Sequence, residues 1–198
     1  MMTEFLVTAA DSPGITYTQP SAAAAAQLGA IGMASGKDSP ECAARNSAIR
    51  MITTDLYAGA LTRVATADGE PRYDVQIAVL NRVVDTAALA ATMRGCTTAS
   101  AMTVTSRDGS TEQMQWEAPV PQEITGVGPI VAMTLLRELG DKASGSMPTA
   151  SVVRFVTVGG RTVVEYVSGD LLGFEVSAQS LALGDRVLTA QVAKLRAL

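Results

Sequence analysis

Residues 151–169, SVVRFVTVGGRTVVEYVSG, constrain the fold of this chain more than any other segment. Two β-branched runs flank Gly159-Gly160, and a two-residue glycine turn is the connection that matches the twist of paired strands. With that turn in place Val158 faces Arg161, and counting back sets Arg154 opposite Glu165. Val152, Val156, Val158, Val163 and Val167 share the face of that charged pair, whereas Val153, Phe155, Val164 and Tyr166 occupy the other. Both faces are largely apolar. Such a ribbon needs cover on both sides, or cover on one and a cavity on the other.

The remaining segments supply more ribbons and the helices to cover them. Asp68-Gly69 marks a hairpin leading into a strand in which Tyr73, Val75, Ile77 and Val79 alternate with Arg72, Asp74, Gln76 and Ala78. A second hairpin is predicted around Asp108-Gly109, with Thr103-Val104-Thr105 as one arm. Between them, Asp85 is positioned as the N-cap of a helix that stops at Gly95. PVPQEITGVGP, rich in Pro and Gly, reads as a loop, and Ile130–Leu139 fits a strand or a short helix, with strand favoured. At the C-terminus Leu183, Val187, Leu188, Val192 and Leu195 form the apolar stripe of an amphipathic helix. Residues 1–39 read as a helical or irregular segment containing an Ala-rich helix after Ser21, and Ser39-Pro40-Glu41 opens a further helix.

Hairpin connections imply an antiparallel sheet, and the helices returning to it give a layered α+β domain. At 198 residues with no long linker, a single domain spanning 1–198 is expected. No apolar run is long enough for a transmembrane helix. The opening MMTEFLVTAADSPG has neither the basic nor the long apolar region of a signal peptide, which leaves an export signal or a lipid anchor to be sought upstream.

Composition excludes several chemistries. The chain has no histidine, which removes the Ser-His-Asp triad, the Cys-His pair and the common zinc sites. Its three lysines are not in an SxxK spacing, and no phosphate-binding glycine loop is present. With a net charge of −4 and fifteen scattered basic residues, nucleic acid is not an expected partner. No cofactor or metal is expected. A carboxylate-based hydrolase stays open in principle, because nothing in the sequence selects a pair from nineteen Asp and Glu.

The polar pair that stands out is Arg154 with Glu165. It reads either as a cross-strand ion pair on an exposed face or as the polar end of a cleft lined by Val156 and Val163. Trp116 reads as a core residue or as a platform for a ligand.

Two cysteines remain. Cys42 falls near the start of one helix and Cys96 directly after the end of another. Buried reduced thiols would account for them, as cysteine packs like a small hydrophobe. Their position at element ends, outside the apolar stripes, suits a disulfide staple better. Closing a loop of about 54 residues would stabilise the fold by about 4 kcal/mol on chain-entropy arguments, and the bond would persist only in an oxidising compartment.

This order of elements around a cysteine pair resembles the small envelope sensor-domain lipoproteins of mycobacteria and related actinobacteria, including the PknH-like extracellular sensor domain. The resemblance covers most of residues 40–198 and rests on SPECAA, DTAALAATMRGC, SVVRFVTVGGRTVVEYVSG and the terminal helix. It implies an antiparallel sheet packed by helices around a ligand cleft, Cys96 pairing back to Cys42, and a secreted or lipid-anchored location. The expected function is non-enzymatic: binding or sensing a small, partly apolar molecule such as a lipid or cell-wall fragment. The alternative is an envelope interaction module that docks a protein through an exposed sheet face. Intact-mass measurement under non-reducing conditions should give a chain lighter by two hydrogens; quantitative labelling of both thiols in the unreduced, denatured protein would rule the bridge out.

Overall fold

The structure, a computed structural model, describes residues 2–19, 43, 47, 60–72, 74–95, 102–105, 111–117, 120–139, 147–169 and 175–198. Both cysteines, the Ala-rich segment after Ser21 and the Asp108-Gly109 turn lie outside the described residues. Within the segment opened by Ser39-Pro40-Glu41, the two described positions, Ala43 and Ser47, are helical and exposed.

A short 3-10 helix, Met2–Phe5, precedes ten strands: β1 Ile15–Thr18, β2 Ala60–Ala67, β3 Glu70–Pro71, β4 Val75–Leu80, β5 Met102–Thr105, β6 Thr111–Trp116, β7 Val120–Ile124, β8 Gly128–Leu139, β9 Met147–Val158 and β10 Arg161–Ser168. Two helices are described, α1 Thr86–Gly95 and α2 Ala178–Arg196. All strands join one antiparallel sheet in the order β1-β2-β4-β10-β9-β8-β6-β5, with β3 on β2 and β7 on β8. An antiparallel α+β domain is thus what the chain forms.

The ribbon at 151–169 takes the expected register, with Arg161 opposite Val158 and Glu165 opposite Arg154. Gly159 and Gly160 have φ of 55° and 74°, the left-handed pair a primed turn requires. Asp68 and Gly69, at φ 52° and 88°, make the same turn between β2 and β3. The strand after it is interrupted: β3 and β4 follow one edge of β2, and Arg72 bonds Asp74 in the gap while reaching Ser180 of α2.

The Pro/Gly stretch expected to be a loop is instead the hairpin β7–β8, with Ile124 opposite Gly128. Prolines are tolerated because β7 is an outer strand, where a missing N–H faces away from the ladder. Gly126 and Gly128, at φ 83° and 99°, tighten the turn. Ile130–Leu139 lies within the twelve-residue strand β8 and is not helical.

The helix α2 lies on one face of the sheet over β10, β4 and β9. Its stripe Leu183, Val187, Leu188, Val192 and Leu195 is buried against Val75, Ile77, Val79, Val163 and Val167. Ser177 caps its first turn by accepting from the Ser180 N–H. On the opposite face, Phe155, Val164 and Leu80 are also buried, and the Val84 N–H donates to Thr162 Oγ1 just ahead of α1. Asp85 Oδ1 accepts from the Ala88 N–H, the N-cap the sequence specifies. The centre of the sheet is therefore covered on both sides.

Gln191, fully buried in the middle of α2, accepts from the Val7 N–H and donates to the Phe5 carbonyl. This clamp fixes the N-terminal segment against the helix, with Lys194 to Asp11 as a second tie. Replacing Gln191 by Ala would strand two backbone groups in an apolar environment, each costing about 1–3 kcal/mol. Urea denaturation of Q191A should show a loss of stability of about that size or larger, accompanied by amide exchange over residues 3–8 far faster than in the parent.

Candidate functional site

Cross-strand pairing places Arg154 beside Glu165 at the centre of the sheet, and α2 descends onto both. Here the helix carries Gly184, where a Cβ would stand 2.9 Å from Val167 Cγ2 and 3.3 Å from both Arg154 Nη1 and Glu165 Oε1. Only glycine permits this approach. The next residue, Asp185, lies on the outward side of the helix, and Arg154 Nη1 bridges the two carboxylates, donating to Glu165 Oε2 at 3.0 Å and Asp185 Oδ1 at 2.7 Å. Glu165 has no solvent exposure, whereas the Asp185 side chain is 48% exposed.

Asp185, Arg154 and Glu165 thus form a line of charged groups from solvent to the core, and the innermost one is incompletely satisfied. Glu165 Oε1 and Arg154 Nε have no hydrogen-bond partner among the described residues. Burial raises the pKa of Glu165 to about 7; Arg154 pulls it back and the carboxylate of Asp185 adds to the rise. The alternative of an exposed ion pair is therefore corrected: the pair is buried, because α2, remote in sequence, closes over it.

Asp185 also lines an open groove of about 650 Å³ along the outer side of α2. The helix contributes Asp185, Arg186, Thr189, Ala190 and Ala193; the N-terminal segment contributes Asp11, Ser12, Pro13 and Ile15; and the β7–β8 hairpin contributes Glu123, Ile124 and Thr125. Its lining combines apolar or small side chains with four charged ones, Asp11, Glu123, Asp185 and Arg186. Two of those charges are held internally: Asp11 accepts from Thr8 and Lys194, and Arg186 donates to Asp68. The hydrogen bond from Thr8, reinforced by Lys194, keeps Asp11 ionised to lower pH than an ordinary carboxylate. Ser12 and Tyr17 add two buried hydroxyls next to one another: burial raises the Tyr17 pKa and Ser12 tempers the rise, yet neither oxygen completes a hydrogen bond of regular geometry.

Of the residues singled out from the sequence, Arg154 and Glu165 are brought together, with Val156 opposite Val163 on the same face. Val156 and Val163 are buried beneath α2 and, like Arg154 and Glu165, do not line the groove. Trp116 pairs in the backbone with Leu135 on β6–β8, and its side chain lies outside the described residues. Among the described residues no group of His, Cys, Asp and Glu is arranged to hold a metal ion, and no helix is long and apolar enough to cross a membrane. The groove residues that sequence reasoning missed come from three segments, and the one local signal was Gly184-Asp185 within an otherwise strong helix.

Comparison of the chain with family models, with curated proteins and with solved structures gives no match.

The buried carboxyl sets the pH dependence of stability. Between about pH 4.5 and 7 the unfolded chain has lost the Glu165 proton while the folded chain keeps it, so stability should fall as pH rises through this window and level off above it. The loss should be on the order of 3 kcal/mol. Urea melts at pH 5 and pH 8 measure it directly, and Glu165→Gln should remove most of the difference. A parent protein equally stable at both pH values would contradict the assignment.

Proposed function

We propose that this domain is a non-enzymatic binding or sensing module that takes a small, partly apolar molecule in the groove beside α2. The observation that carries this reading is the groove itself: Ile15, Ile124, Ala190 and Ala193 supply apolar wall, while Ser12, Glu123 and Asp185 supply a few placed polar groups. Its connection through Asp185 to a buried, protonatable core suits a sensor, since occupancy at the surface alters the charge felt by the centre of the sheet.

Catalysis by a carboxylate pair has less support. Asp11 and Asp185 are each engaged by a cation, leaving Glu123 as the groove carboxylate with no ionic partner among the described residues. Docking of a protein through the valine face of β9 and β10 also has less support, because α2 occupies that face. We further propose that the domain works in the cell envelope, secreted or lipid-anchored, with Cys42 and Cys96 joined as in the sensor domains it resembles.

Protein isolated from its own host should carry a bound small molecule in native mass spectra, and Ala190→Trp, which fills the groove, should abolish the adduct. Added hexan-1-ol should shift the methyl resonances of Ile15, Ile124 and Thr189 selectively. Ligand-free protein from the host, together with unmoved methyl resonances, would contradict the reading.

A further inference from the structure

We draw no further inference here: the strongest candidate, the buried cluster of Arg154, Glu165 and Asp185 beneath α2, in which Glu165 Oε1 and Arg154 Nε have no hydrogen-bond partner among the described residues, belongs to the site already described, and nothing in the structure shows a ligand that reaches it.

Discussion

Everything in this fold is arranged around a carboxyl group placed where water cannot reach it. Glu165 occupies the middle strand of the sheet, with Arg154 on one flank, Ile77 on the other and the glycine of α2 above. An apolar pair of similar volume would pack there at no electrostatic cost, and buried ion pairs are seldom retained for stability alone. What the pair does provide is position. Arg154 reaches past Gly184 to Asp185, so the helix has one axial setting at which both carboxylates are served, and a shift by one turn would leave a buried cation half-paired.

That setting determines the rest of the surface. With α2 fixed, Gln191 clamps the segment behind the first 3-10 turn, Arg196 donates to the carbonyls of Gly126 and Val127, and the N-terminal segment and the β7–β8 hairpin are held against the same helix. The groove is the space they leave along the helix. Its walls come from residues over a hundred positions apart in the chain, and Asp185 links it to the buried Arg154 and Glu165. Asp185 thus belongs both to the groove and to the charge network that reaches the core.

How much of this could be read from the sequence depended on whether the cause was local. Gly159-Gly160 set the register of β9 and β10 down to the Arg154–Glu165 pairing, because two left-handed glycines allow one kind of turn. The stripe from Leu183 to Leu195 and the Asp85 cap were legible for the same reason: a helix is specified by neighbours three and four residues apart. Failures arose where tertiary context overrode local preference. Pro119, Pro121, Gly126 and Gly128 argue against a strand, yet Val120–Ile124 forms one, since an outer strand can do without the N–H that proline lacks. The burial of Arg154 and Glu165 was invisible because the element that buries them lies beyond residue 177, and the groove was invisible because no single segment contains it.

The state of the Glu165 carboxyl group can be followed across pH in the folded protein by carbon-13 NMR of side-chain carboxyls. The Glu165 resonance should titrate with a midpoint near 7, and Asp185→Asn should bring that midpoint down. A Glu165 midpoint near that of an ordinary glutamate would mean that the helix does not seal the pair from water, and the link between core and groove would be lost.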